Sequence, residues 1–108
     1  MYSLIEIPQK PNGHILFLTF NRLYYTQKTL PALLESAVTA SCQIRIVDNG
    51  STDGTVEYLQ KLSHPKIERV IYNKKNEGLV RPTKNFWKES KAKFIGKIDN
   101  DILVPKKW

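Results

Sequence analysis

Four short apolar runs alternate with three stretches of helical spacing, and that alternation leaves few folds open. The runs are His14 to Phe20 (HILFLTF), Gln43 to Val47, Ile67 to Tyr72 and Phe94 to Ile98. Each is brief, apolar and bounded by polar or turn-forming residues, as buried strands are. Between the first two, Leu30, Leu33, Leu34, Ala37 and Val38 recur at spacings of three and four, so Tyr24 to Ala40 reads as a helix. Pro31 lies inside that pattern, so the helix is expected to start near Thr29 or to kink there. Val56, Leu59 and Leu62 give a second helix over about 53–63, with Ser51, Thr52 and Asp53 as capping residues. A hairpin at Asn49-Gly50 is the competing reading, set aside because the residues after it follow helical spacing. A third helix is expected from Pro82 to about Ala92, with Arg81, Lys84, Lys88 and Lys91 as a basic stripe. Strands alternating with helices imply a parallel sheet joined by right-handed crossovers.

A chain of 108 residues is expected to form a single domain over 1–108. Its one cysteine, Cys42, can form no intrachain disulfide, and His14 and His64 do not make a zinc site. No stretch approaches the roughly 20 apolar residues of a membrane span, and the N-terminus has no secretory pattern. A cytoplasmic setting is the default expectation, peripheral to a membrane if the basic half meets one. That half is distinct: residues 61–108 hold thirteen basic and five acidic side chains, whereas residues 1–60 hold four and five. Such a surface attracts nucleic acid, anionic lipid or a phosphorylated ligand, or is simply solvated. Nucleic acid is the weakest of these, because no recognised nucleic-acid-binding signature is present.

Two acidic turns carry the chemistry. Asp48 to Thr55 (DNGSTDGT) follows the second apolar run, and Asp99-Asn100-Asp101 follows the fourth. In open α/β sheets ligands bind beyond the carboxyl ends of the strands, where both turns fall. Residues at i and i+2 of an extended segment share a side, so Asp99 and Asp101 form a hard oxygen site suited to Mg²⁺ or Mn²⁺. Asp48 is read as an acceptor for a nucleobase or ribose, with small neighbours that let a ligand approach the backbone. Neither GxGxxG nor GxxxxGK[ST] occurs, which argues against a dinucleotide fingerprint and a P-loop. Phe86 and Trp87 are expected to be core or half-buried, His14 a surface residue, and Tyr24 and Tyr25 possible base-stacking rings.

Four strings taken together are more specific than any one: TFNR at 19–22, DNGSTDGT at 48–55, Asn76-Glu77-Gly78, and IDND at 98–101. In that order and spacing the chain resembles the family 2 glycosyltransferases of the A-type fold, over roughly Ile15 to Trp108. The resemblance implies a three-layer α/β/α Rossmann-like sandwich with strand order 3-2-1-4. It implies transfer of a sugar from a nucleotide diphosphate sugar to an acceptor that the sequence does not identify. By position, Thr19, Arg22, Asp48, Asn49, Gly50, Asn76, Gly78, Lys84 and Asp99 would bind the nucleotide sugar. Asp99 and Asp101 would hold Mn²⁺ or Mg²⁺. Lys84 stands where the family often has arginine, which weakens any bidentate phosphate contact. The sequence ends about seven residues after the acidic motif, ahead of the family's acceptor-binding part and general base. Glu57, Glu68, Glu77 and Glu89 match no motif. The 108 residues are therefore expected to supply the donor-binding half and not to transfer sugar unaided; a non-catalytic nucleotide-binding module is the alternative. Strand four would lie at a sheet edge and favour self-association.

Overall fold

The computed structural model describes residues 13–100. Its elements run β1 (Gly13–Thr19), α1 (Leu23–Ala40), β2 (Cys42–Asp48), α2 (Thr55–Lys61), β3 (Ile67–Tyr72), α3 (Val80–Glu89) and β4 (Phe94–Asp99). The four strands form one sheet in the order β3-β2-β1-β4, and every pairing is parallel. The expected alternation and strand order are both present. β1 is central: Leu18 pairs with Val47 on one side and Asp99 on the other.

Two helices cover one face and one covers the other. Ile15, Phe17, Ile44 and Ile46 meet Leu30, Leu33, Leu34 and Ala37 of α1 and Leu59 of α2. Leu16, Leu18 and Val47 project oppositely and meet Phe86 of α3, with Ile71 at the margin. Alternation along each strand thus feeds two cores. A fully buried side chain such as Phe17 stabilises the fold by about 1.5–3 kcal/mol relative to leaving it in water.

Helix starts differ from expectation for local reasons. α1 begins at Leu23, well before Pro31, and runs through it. Its first turn is fixed by the Asp53 carboxylate, which accepts the Leu23 N–H at 2.9 Å, and by the Arg22 carbonyl, which accepts from Tyr25 and Thr26. α3 begins at Val80, so Pro82 is its third residue. The first four N–H groups of a helix have no intrahelical partner, so proline costs no hydrogen bond there. Phe86 is fully buried, whereas Trp87 is 58% exposed. Adjacent residues point about 100° apart around a helix, and only Phe86 faces the sheet.

His14 is buried, contrary to the expectation of a surface position. Its ring packs edge-on against Phe86 with centroids 4.5 Å apart. Nδ1 lies 2.8 Å from Ser90 Oγ and Nε2 lies 3.1 Å from Glu68 Oε1. Burial pushes the imidazole pKa down despite that carboxylate. Beside it Arg45, only 3% exposed, reaches Glu68 through Nε at 2.9 Å and also donates to Glu89. Burial would raise the Glu68 pKa, but the bonds and charge of Arg45, with His14, carry it below the usual carboxylate range. One face of the sheet therefore holds a satisfied polar cluster tying β1, β2, β3 and α3 together.

Candidate functional site at the carboxyl edge of the sheet

β1 and β2 leave the sheet side by side, and their exits are tied: the Asn49 N–H donates to the Thr19 carbonyl at 2.9 Å. β1 ends in two successive non-glycine residues at positive φ, Asn21 (55°) and Arg22 (57°). Such a pair is uncommon, since this region is costly for L-residues; asparagine tolerates it best. The turn is held from across the edge. Asn21 N–H donates to Ser51 Oγ at 2.7 Å, and Asn21 Oδ1 accepts the Thr52 N–H at 2.8 Å.

The DNGSTDGT segment is a compact turn with few free groups. Asp48 is fully buried. Its Oδ2 accepts the N–H groups of Gly50 (3.2 Å) and Ser51 (2.9 Å), and its Oδ1 accepts from the Ser51 hydroxyl. Asn49, also buried, donates to the Gly78 carbonyl at 2.9 Å. It accepts from Asn73 Nδ2 at 2.9 Å and from the Glu77 N–H at 3.3 Å. A side chain of one turn thereby holds the Asn76-Glu77-Gly78 loop. Within that loop Asn76 Oδ1 accepts the Gly78 N–H at 2.8 Å, and Gly78 has φ 76°. Asp53 lies one residue before the Gly54 cap position of α2. Its Oδ1 accepts from the Thr55 N–H and hydroxyl while Oδ2 caps α1. Partial burial would raise its pKa, but the bonds from Thr55 and Leu23 lower it.

These turns surround a cleft of about 300 Å³ lined by Leu18, Phe20, Arg22, Asn49, Asn76, Leu79, Asp99 and Asn100. It sits between the ends of β1 and β4, where the strand order reverses; open α/β sheets bind ligands at such a point. Of the residues expected at the site, Arg22, Asn49, Asn76 and Asp99 line it. Thr19 does not: it is buried, and its hydroxyl lies 3.1 Å from that of Thr26 and accepts from Asn100 at 3.2 Å. Asp48 and Gly50 flank Asn49 in sequence without lining the cleft, and the Gly78 carbonyl accepts from the Asn49 amide. Lys84 is exposed on the side of α3 opposite Pro82 and Phe86, and is not brought to the cleft. Tyr24 and Tyr25 are exposed, pack against each other at 5.5 Å, and do not line it either.

Asp99 is an exposed carboxylate on the rim, 3.0 Å from Lys97 Nζ. Asp101 lies outside the described residues. Among the described residues no group of three His, Cys, Asp or Glu side chains gathers to hold a metal. No helix among the described residues is long and apolar enough to cross a membrane.

Phe20, Leu79 and Asn100 at this site were not anticipated. Phe20 and Leu79 are large apolar residues exposed just past β1 and just before α3, whereas the apolar run from His14 reads Phe20 as part of a buried strand. Asn100 carried no signal beyond its place between two aspartates.

No curated protein matches the sequence. Solved structures do match in fold. A mannosyltransferase, PcManGT from Pyrobaculum calidifontis, in complex with GDP-Man and Mn²⁺, superposes with a TM-score of 0.73 at 19% identity; the match covers 91% of this chain and 30% of that one. TarS from S. aureus in complex with UDP gives 0.73 at 22% identity, covering 89% and 29%. Its complex with UDP-GlcNAc gives 0.70 at 22%, covering 88% and 28%. The chain thus spans less than a third of the length of these neighbours. The sequence pattern of glycosyl transferase family 2 matches residues 15–108. That match spans most of the sequence, and the chain belongs to glycosyl transferase family 2.

Proposed function

We propose that the protein binds a nucleoside diphosphate sugar in the cleft between β1 and β4 and supplies the donor-binding part of a sugar transfer. The observation that carries this reading is the meeting of Arg22, Asn49, Asn76 and Asp99 at the point where the strand order reverses. The fold neighbours crystallised with GDP-Man and Mn²⁺ or with UDP and UDP-GlcNAc support it.

The roles follow from chemistry. A nucleoside presents a flat apolar ring with polar edges, matched by Phe20 and Leu79 beside Asn49 and Asn76. Asp48 shapes the turn that the nucleoside would meet, because its carboxylate organises the Gly50 and Ser51 N–H groups. Arg22 supplies positive charge near a diphosphate. Asp99, with Asp101, would hold Mn²⁺ or Mg²⁺, which when bound offsets the charge of the departing diphosphate. Asp99 is paired with Lys97, so the lysine must release it or share it on metal binding. Calorimetry of the full chain with UDP and GDP, with and without MnCl₂, tests the proposal. Metal-dependent binding lost in Asp101→Ala is the expected result. Binding of neither nucleotide would overturn it. Binding without donor cleavage or sugar transfer would favour the non-catalytic module.

The edge strand carries a further expectation. Among the described residues β4 pairs only with β1, and Phe94 and Ile95 are 68% and 41% exposed. An unpaired apolar edge is a template for another chain. Light scattering of the 108-residue chain is expected to show self-association rising with concentration. A monomer throughout would mean that the edge is covered.

A further inference from the structure

We propose that Asn100 is a positioning residue that locks the Asp99 end of the cleft to the Asn21 turn, so that the diphosphate-and-metal part of a bound nucleotide is held in register with the nucleoside part. The inference rests on the nucleotide reading above.

The last ladder pair between β1 and β4 is Leu18 with Asp99. The rim carboxylate thus belongs to the last residue that the sheet fixes, and the chain on its far side has no ladder partner. Asn100 takes over. Its Nδ2 donates to the Asn21 carbonyl at 3.1 Å, to Thr26 Oγ1 at 3.1 Å and to Thr19 Oγ1 at 3.2 Å. Its own carbonyl lies 2.8 Å from the Thr29 hydroxyl, whose one proton is shared with the Tyr25 carbonyl at 2.9 Å. A main-chain carbonyl only accepts, so the NH₂ side of the amide must face Asn21. Two N–H bonds serve three acceptors, so one is shared. The residue is 7% exposed, although the aspartate before it is exposed on the rim. All four bonds run to β1's exit and α1, and none runs to β4 itself.

The acceptor shared with the rest of the site is Asn21. Its N–H reaches Ser51, whose hydroxyl reaches Asp48, and its Oδ1 holds the Thr52 N–H. A continuous hydrogen-bonded path therefore joins the two acidic turns, Asp48 to Ser51 to Asn21 to Asn100, with Asp99 next in the chain. Aspartate in place of Asn100 would lack the donors, and alanine would leave the Asn21 carbonyl one bond short. A ligand touching both ends of the cleft needs both ends at fixed separation. A fragment touching only the nucleoside end does not.

That difference separates a positioning role from a merely structural one. The full chain and its Asn100→Ala, Thr26→Val and Thr26→Ser variants would be titrated calorimetrically with UDP or GDP in MnCl₂, and with uridine or guanosine without metal. Urea midpoints would be measured alongside. Thr26 is fully buried and does not line the cleft, so Thr26→Val removes one clamp partner without touching the rim, and Thr26→Ser restores its oxygen. The expected result is a rise of about tenfold or more in Kd for the metal–diphosphate complex in Asn100→Ala, as for other residues that orient metal ligands. A smaller rise is expected in Thr26→Val, none in Thr26→Ser, and nucleoside affinity is expected to hold throughout. Parallel weakening of nucleoside and diphosphate, or unchanged affinities with only the urea midpoint lowered, would overturn the proposal. Wild-type protein that binds no nucleotide would instead bring down the nucleotide reading, and this inference with it.

Discussion

Gly50→Ala is expected to lower stability by about 3 kcal/mol, and Gly78→Ala by only about 1 kcal/mol, although both residues have positive φ. Left-handed backbone costs an L-residue roughly 1–2 kcal/mol at either position. The difference is crowding. A Cβ on Gly50 would lie 2.8 Å from Lys75 Cα and 2.9 Å from its carbonyl carbon, whereas a Cβ on Gly78 meets nothing within 4 Å. Main chain cannot turn aside as a lysine tip would, so the 73–78 loop has to shift. Overpacking of this kind costs about 1–3 kcal/mol. The shift also pulls on Asn49, whose amide binds that loop at Gly78 and Glu77. Gly50→Ala is therefore expected to weaken nucleotide binding as well, with Gly78→Ala closer to wild type. Urea unfolding of the two variants is the direct check; equal losses would show that the loop does not press on Gly50.

Arg45→Met is expected to cost about 3 kcal/mol, because one partner of a buried charge cluster is removed and the other stays. Glu68, partly buried, would lose its nearest cation and keep only His14 and the more distant Arg69, 3.6 Å away. Glu89→Gln touches the same arginine from a half-exposed position and is expected to cost under about 1 kcal/mol. The pH dependence gives a second handle. In the native protein the Glu68 pKa lies below its ordinary 4.5, mainly because bonds and charge from Arg45 overcome burial. That stabilisation is present above the unfolded-state pKa and is lost as pH falls through the folded one. The deficit of Arg45→Met should thus be largest near neutrality and shrink in acid. Urea midpoints of both proteins from pH 7 to pH 3 would show it, and a deficit independent of pH would mean that packing, not charge, accounts for the loss.

The elements were legible because their signals are local. Helical spacing in α1 and short apolar runs in the strands do not depend on partners. The two acidic turns were legible for the same reason, and parallel topology put them at one edge. What escaped needed knowledge of distant neighbours. His14 and Arg45 look misplaced in apolar strands until Glu68, Glu89 and Ser90 arrive from β3, from α3 and from just past it. Asn100 looks like a turn former until Thr19, Thr26 and Thr29 are stacked beneath it. Lys84, which the motif order places near the diphosphate, shares an exposed stripe of α3 with Arg81 and Lys88, a placement that depends on how the helix turns against the sheet. Thr19 matched a motif position, but the end of a central strand is enclosed, and its hydroxyl serves the interior.

The strand order has a consequence for how the protein comes into being. β1 finds β2 after one helix, but its other neighbour, β4, arrives only after one more strand and two more helices have been made. Contacts between segments so far apart in sequence form slowly, since a long loop must close before they repay it. Three strands and two helices can assemble on a nascent chain while β4 is still being synthesised. The cleft has β1 on one side and β4 on the other, so it comes into existence when β4 docks. Partly folded chains in which β4 has not yet docked carry the Asp48 turn without the cleft beside it.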